Sequence, residues 1–393
     1  MLTRATTLTL AITAAVAVAN IYYIQPVLEL IARELHGGAR EAGFVSLLIQ
    51  LGYALGILFF VPLGDVFERR TLCVVMFAGT TLALVAMATA SNMTVLALAG
   101  FATGVCTIVA QIIMPFAADL ATNETRGRVV GAIQTGLIVG IVYSRAAGGL
   151  IGAHFGWRSV FWYAAATAAI ATVALWRVLP LRAPHAALPY PALLRSVLAL
   201  MREQPLLRAS MALGFCSLGA FSAFWTTIAF HMHEQGFGSD IVGALGAMAL
   251  VGALLSIPFG TLIDRRGTLV TATIAIVALF GAFVIFLLGA HSVLAIFIGM
   301  IAFPIGTQLN QISNQSRIFA LDASARSRLN TAYMFGTFSG GAVGAAAGSA
   351  AYAAGGWTAL CALCMALILI AACIVVWLRL NASLAGAHSR SVA

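Results

Sequence analysis

The sequence predicts an all-α membrane protein. It is read as 12 transmembrane helices in two six-helix, pseudo-symmetric bundles with both termini cytoplasmic. Three observations carry this. The 393 residues are 62% hydrophobic and only 8% charged, with a mean hydropathy of +1.02, whereas soluble domains carry about 25% charged residues. Twelve apolar runs are each long enough for the ~20 residues a membrane helix needs. The arginines are distributed unequally between the two sides of those runs. Length alone would imply two or three soluble domains, but this composition leaves too few charges to cover a water-facing surface.

The runs fall at about 6–34, 41–63, 71–90, 93–119, 129–153, 158–179, 207–231, 240–262, 269–289, 292–318, 329–353 and 358–379. The first begins like a secretory signal, with Arg4 ahead of an apolar stretch and Ala17-Val18-Ala19 as a cleavage-like site. Its apolar character continues to Leu35, so it is read as an uncleaved first span. The runs are long and continuous, unlike the ~10-residue alternating segments of a barrel. Between the sixth and seventh lies Leu179–Pro205, with five of the ten prolines. It is read as a cytoplasmic linker (179–206) with a short amphipathic helix near Leu193 to Arg202. The bundles are then 1–178 and 207–393.

All 21 basic residues are arginine. Seventeen, Arg317 among them, fall in segments on one side. Arg33, Arg40 and Arg158 fall on the other, and Arg145 lies within a span. Positive residues stay inside, so the termini are placed in the cytoplasm. The formal charge of +9 is read as this topology signal and not as a nucleic-acid surface. The six cysteines lie in apolar runs. Cys361 and Cys364 form a CxxC without the histidine or third cysteine a metal site needs. Trp157, Trp176, Trp357 and Trp377 sit at span ends and are read as interface anchors.

The chain repeats itself. Residues 127–157 match residues 327–357 at an offset of 200, pairing Gly136, Gly140, Gly148, Gly156 and Trp157 with Gly336, Gly340, Gly348, Gly356 and Trp357. Gln111 pairs with Gln311. A second match sets Pro62 to Leu72 beside Pro258 to Leu269, with Glu68 and Arg69 opposite Asp264 and Arg265. A parallel duplication of six helices is a transporter build, with substrate between the halves and access that alternates.

These features resemble the major facilitator superfamily over essentially the whole chain, and in particular its 12-helix proton-coupled efflux group. The family's loop signature, Gly-x-x-x-Asp-Arg-x-Gly, is matched by Gly260, Asp264, Arg265 and Gly267. In the first copy, Gly64, Asp65, Glu68 and Arg69, a Glu stands for the Asp and Thr71 for the second Gly. The resemblance implies a cytoplasmic gate at both loops, with Asp119 near the inner end of the fourth span joining the charge cluster. The fifth span keeps the spacing of the family's antiporter signature at Gly131, Gly140, Gly148 and Gly149. Ser144 stands for a glycine and Arg145 for the proline. That signature implies export. Where the family's fourth helix carries an arginine this chain has Gly100, and Arg145 is read as taking over that role.

Small residues every fourth position, Gly136, Gly140, Ser144, Gly148 and Gly152, and again Gly336, Gly340, Gly344 and Gly348, allow close helix packing in lipid. This face is expected across the interface between halves. Arg145 itself costs ~2.5 kcal/mol or more in a bilayer and by default marks a site. Either it lines the cavity and meets substrate or a carboxylate, or it ties backbone carbonyls. Gln134 shares its helical face. Arginine cannot release a proton in practice, so coupling needs another group. Of the twelve acids Glu29 is the one well inside a span, with Asp119 at an inner edge and Glu34, Glu41 and Asp240 at outer edges; Glu29, placed where it could reach Arg145, is the expected proton carrier, and simple exposure at the outer mouth is its alternative. His231 and His233 are read as outer surface residues.

The expected cavity lining is Asn20, Tyr22, Tyr23 and Gln25 of the first span and Gln111 of the fourth. The seventh contributes Phe221, Phe224 and Trp225. The tenth contributes Gln308, Gln311 and Gln315 in one stripe and Asn310 and Asn314 in another, more amide than can face lipid. Aromatic and neutral polar groups suit a small amphipathic solute. The expectation is a monomeric inner-membrane secondary transporter exporting such a drug-like compound against protons, with no cofactor or metal. Its alternatives are uptake or exchange of a small organic anion clamped by Arg145, and a non-transporting membrane sensor. The chain carries no GxxxxGK[ST] and no sign of an enzyme.

Overall fold

A computed structural model describes residues 4–122, 124–181, 189–255, 267–322 and 325–391. Among the described residues every regular element is a helix. Helix α1 (Arg4–Tyr22) continues through a 3-10 turn (Gln25–Val27) into α2 (Leu28–Glu34); then follow α3 (Ala39–Phe60), α4 (Leu63–Val66), α5 (Arg69–Ala88), α6 (Met93–Cys106), α7 (Val109–Leu120), α8 (Arg126–Phe155) and α9 (Trp157–Val178). Beyond these lie α10 (Tyr190–Glu203), α11 (Pro205–Glu234), α12 (Ser239–Leu255), α13 (Thr268–Leu288), α14 (Val293–Phe319) and α15 (Arg326–Ser391).

Among the described residues, ten helical segments are long and apolar enough to cross a membrane, and Ser239–Met248 is a shorter apolar stretch. One of the ten, Arg326–Asn381, has non-helical backbone at Gly355 and Gly356. Gly356 (φ +62°) and its repeat partner Gly156 (φ +79°) both occupy the left-handed region that only glycine enters freely. Each ends one helix and starts the next. Elsewhere side chains cap: the Glu68 carboxylate accepts from the Arg70 and Thr71 amides at the head of α5, and Asn92 accepts from Val95 at the head of α6.

The outward surface carries large apolar side chains, among them Leu8, Leu82, Ile170, Trp176, Val277, Leu288 and Trp377. Inside are two apolar clusters. One joins α1 to α9 with Val197, Leu207 and the start of α15. The other joins α11 to α15 around Phe224, Phe283, Phe286, Phe303 and Trp357. The amphipathic helix expected near Leu193 to Arg202 is present as α10; its Tyr190 hydroxyl donates to the Phe59 carbonyl at 2.8 Å, and partial burial raises that phenol's pKa.

The small-residue stripes pack differently from expectation. A Cβ on Gly136 would lie 2.2 Å from the Ala11 carbonyl oxygen and one on Gly140 2.3 Å from that of Ala15, so this stripe faces α1. Gly148 meets Tyr23 and Pro26 of the same first segment. The later stripe faces α11: Gly336 meets Met211, Gly340 meets Phe215, Gly344 meets Gly219 and Gly348 meets Ala223. Each stripe thus holds the fifth segment of a repeat against the first of the same repeat. The pairs 136 with 11 and 140 with 15 recur as 336 with 211 and 340 with 215, at the offset of 200 read from the sequence. Contacts between the two repeats use mainly other glycines: Gly149 on Ser239 and Gly243, Gly43 on Ser349, and Gly341 on Gln50.

Two of the four tryptophans are not surface anchors. Trp157 and Trp357 are buried and donate to the Glu34 carboxylate (2.7 Å) and the Phe286 carbonyl (2.8 Å). Trp176 and Trp377 are exposed on the outward face.

Candidate functional site

Arg145 is the centre of the site. It is 1% exposed, and its position follows from two backbone features. Pro26 lacks an N–H and ends α1's regular hydrogen bonding, so the 3-10 turn projects Gln25 inward. Gly243 and Gly246 on α12 leave room for the arginine stem: a Cβ at Gly246 would fall 2.4 Å from the Arg145 Cβ. The guanidinium donates through Nε to Gln25 Oε1 at 2.9 Å and through Nη1 to the Ile141 carbonyl at 3.3 Å. Three rings surround it, with centroids 4.1 Å (Trp225), 4.7 Å (Tyr22) and 5.1 Å (Phe221) from Cζ. Cation–π contacts of this kind each contribute ~0.5–2 kcal/mol. Among the described residues, Nη2 is buried with no partner, and no carboxylate pairs with the cation.

This cation borders a cavity of about 110 Å³ lined by Tyr22, Ile138, Ile141, Val142, Leu218, Phe221, Trp225, Pro304, Thr307, Gln308 and Gln311. Four segments meet there: α1, α8, α11 and α14. The walls are mostly apolar, with the guanidinium, a threonine and two amides as polar points.

Several expected lining residues do other things. Gln134 lies eleven residues from Arg145, ~16 Å along the helix, and the cavity stops at Ile138. Asn20 donates to the Thr107 hydroxyl (3.3 Å), which donates to the Ala17 carbonyl (2.7 Å), tying α1 to the break between α6 and α7. Tyr23 packs edge-on against Tyr163. Gln111 donates to the Tyr53 hydroxyl at 3.2 Å. Phe224 is fully buried among Phe286, Phe303 and Trp357, away from the cavity.

The amides of α14 divide by height as well as by face. Gln308 and Gln311 reach the cavity. Gln315, one turn on, donates to Asn330 at 3.3 Å. Asn310 donates to the Leu213 carbonyl (3.1 Å), and Asn314 donates to the Asn310 carbonyl (2.9 Å) while its own carbonyl accepts from Arg317 (2.9 Å). Arg317, placed by the sequence among the water-facing arginines, is 6% exposed. Counting charges registers its number in the loop and not its rotation about α14, which turns it onto Asn314 and Ser210.

Glu29 does not meet Arg145. Its carboxylate lies 3.3 Å from His233 Nε2, so α2 is tied to the end of α11. His231 is not at the surface: its ring stacks on Trp357 at 4.0 Å and its Nε2 lies 2.8 Å from the Ala290 carbonyl. At the other end of the bundle, Arg69 holds the Gly64 carbonyl (2.8 Å), Asp65 (3.0 Å) and Asp119 (2.7 Å). Asp119 therefore joins the loop cluster, while Glu68 serves as the cap of α5. Of the second loop copy, Gly260, Asp264 and Arg265 lie outside the described residues. Gly267 (φ +82°) starts α13.

Sequence reasoning missed Ile138, Ile141, Leu218 and Thr307 in the lining, the glycine cradle on α12, and Gln50. The last is buried and accepts from Ser222 at 2.9 Å, between α3 and α11. A signal existed for Gln50, the single amide in the run 41–63.

A bundle of membrane-length helices around a buried, partly polar cavity is the build of a multi-pass membrane transporter. The chain belongs to the Major Facilitator Superfamily, whose model matches residues 10–320. It is 38% identical over 354 residues to the "Uncharacterized transporter YgaY" of Escherichia coli O157:H7, covering 90% of each chain. It is 32% identical over 358 residues to the "Probable transporter SCO4007" of Streptomyces coelicolor, covering 90% of this chain and 83% of that one. Its fold matches the crystal structure of the nucleoside transporter NupG with a TM-score of 0.73 at 14% identity, covering 94% of this chain and 97% of that one. The chain is a transporter of this family and not an enzyme.

Proposed function

We propose that this transporter exports a small amphipathic organic anion by alternating access, in exchange for protons. The observation that carries the substrate class is the Arg145 guanidinium. It borders the cavity, is held by neutral partners and rings, and has an unpartnered Nη2. A buried cation without a carboxylate is an incomplete pair, and a carboxylate or similar group on a solute completes it. The apolar walls and the rings of Trp225, Phe221 and Tyr22 suit an aromatic body. This keeps export but takes the substrate class from the organic-anion alternative, read from the sequence as uptake or exchange, because an unpaired guanidinium repels a cationic solute.

The transport architecture is two halves, 1–178 and 207–393, joined by the linker 179–206. Twelve spans result when Ser239–Leu255 and the two arms of α15 are each counted as one. The offset of 200 between equivalent helix contacts supports this division. The arginine asymmetry supports a topology with both termini and the Arg69 loop in the cytoplasm and the Trp157 end outside a cell's inner membrane. The chain works as a monomer, since each monomer encloses its own cavity. Export is what the resemblance of Gly131, Gly140, Gly148 and Gly149 to the family's antiporter signature implies. An inside-negative potential favours it, contributing ~2.3 kcal/mol per charge per 100 mV to an outgoing anion and again to an incoming proton. Glu29, tied to His233 across the outer ends of the halves, is the proton acceptor: protonation removes its charge and releases the tie.

The test uses purified protein in proteoliposomes with aromatic carboxylates, neutral amphiphiles and amphipathic cations, reading substrate flux and internal pH. Carboxylate efflux coupled to proton entry, lost in Arg145→Ala and uncoupled in Glu29→Gln, is the expected result. Proton exchange against cations or neutral compounds that survives Arg145→Ala would restore the drug-export reading instead.

A further inference from the structure

A second cavity lies away from Arg145, on the outward face between α1 and α8. It holds about 550 Å³. Its form follows from the stripe contacts already described. α1 and α8 touch at Gly136 with Ala11 and at Gly140 with Ala15, then diverge, so that a Cβ added at Gly131 or Gly127 would have nothing within 4 Å. Small side chains such as Ala11, Ala15 and Ala132 leave the floor empty, and Leu8, Ile12 and Val139 form outward rims.

The mouth is different. It is framed by Arg4 and Arg128, with Thr7 and Thr125 beside them, and no carboxylate among the described residues lines the groove. Neither arginine forms an ion pair among the described residues. Arg126, nearby on α8, is turned away onto the Ala118 carbonyl. From Arg128 to Val139, and from Arg4 to Ala15, is eleven residues, ~16 Å of helix. Half of a ~30 Å hydrocarbon core is ~15 Å. The groove therefore has the length of one leaflet, with two cations at headgroup height and an apolar trough below them.

We propose that this groove binds one anionic phospholipid of the leaflet on the Arg4 side. Its phosphate lies between Arg4 and Arg128, and one acyl chain fills the gap between α1 and α8 down to Gly136. Basic side chains at this depth attract anionic lipids by roughly fivefold each, so the pair selects an anionic over a zwitterionic lipid by about thirtyfold. The lipid would brace the open half of the contact between α1 and α8, the two helices that carry Tyr22 and Arg145.

The experiment is lipid retention by the full-length protein. The protein is placed in nanodiscs of phosphatidylcholine with one fifth phosphatidylglycerol, released, and examined by native mass spectrometry. The wild type is expected to keep one phosphatidylglycerol. Arg4→Ala/Arg128→Ala should lower that retention by about thirtyfold without lowering the thermal midpoint measured in detergent. Ala132→Leu, which fills the trough and leaves both charges, should displace lipid of either kind. Equal retention of phosphatidylcholine and phosphatidylglycerol by the wild type would overturn the proposal. So would phosphatidylglycerol retention unchanged in the double variant, or retention of inorganic phosphate alone in place of lipid.

Discussion

Arg145 shows how one side chain is kept in an apolar helix without a counter-charge. Gln25 fixes Nε, Ile141 takes Nη1, and three rings face the plane. Hydrogen bonds to charged groups contribute about 1.5–3 kcal/mol, so Arg145→Ala should weaken binding of an aromatic carboxylate by about 10- to 100-fold, measured by titration calorimetry. Arg145→Lys should recover only part of this, because an ammonium has no fork to reach Gln25 and a solute together. Gln25→Leu leaves Nε without an acceptor. It should cost about 1–3 kcal/mol of stability and loosen the guanidinium, reading as a lower thermal midpoint together with weaker binding. A Gln25→Leu variant with unchanged midpoint and affinity would remove Gln25 from the site. The sequence marked Arg145 by its cost alone. It offered no partner, since Gln25 is 120 residues away and reaches it only through the Pro26 turn.

At the scale of the helix, the glycine stripes give the sharpest contrast. Gly140→Ala would drive a methyl to 2.3 Å from the Ala15 carbonyl oxygen, and Gly340→Ala to 2.3 Å from that of Phe215. Each should destabilise by about 1–3 kcal/mol through overpacking. Gly131→Ala, on the same helix as Gly140 but with nothing within 4 Å, should be neutral or stabilise by up to about 1 kcal/mol through helix propensity. Thermal unfolding in detergent checks all three, and a destabilised Gly131→Ala would contradict the open geometry there. The Arg69 cluster is half-exposed, with Asp119 58% accessible, and exposed pairs contribute about 0–1 kcal/mol. Asp119→Asn should therefore change the midpoint little and act on the transport rate, if the loop is a gate. Periodicity singled out both stripes and the α14 amides as distinct faces. What each face meets was not legible, because spacing along one helix carries no information about which helix lies opposite.

For the whole molecule, the contacts at the Trp157 end decide access to the cavity. Gly149 sits against Ser239 and Gly243, the Ser239 hydroxyl donates to the Gly149 carbonyl at 3.1 Å, and Glu29 reaches His233. These close α8 on α12 and α2 on α11 above Arg145. A membrane-impermeant thiol reagent should therefore modify Gln308→Cys from the Arg69-loop side and not from the Trp157 side, in a chain whose exposed or half-buried Cys106 and Cys373 are replaced by serine. An aromatic carboxylate should slow the reaction. Labelling from the Trp157 side alone would invert the assignment. The sequence by itself determined that this is a polytopic helical membrane protein, that it is built from a repeat at an offset of 200, and that Arg145 is its anomalous charge. Composition, run length and self-similarity are properties of the chain and need no third dimension. Only the tertiary structure decided that the stripes join first to fifth helices, that Glu29 pairs with His233, that Arg317 is buried, and which of the many polar side chains border the cavity. Those are matters of rotation and contact between segments far apart in the chain, and they are fixed by packing.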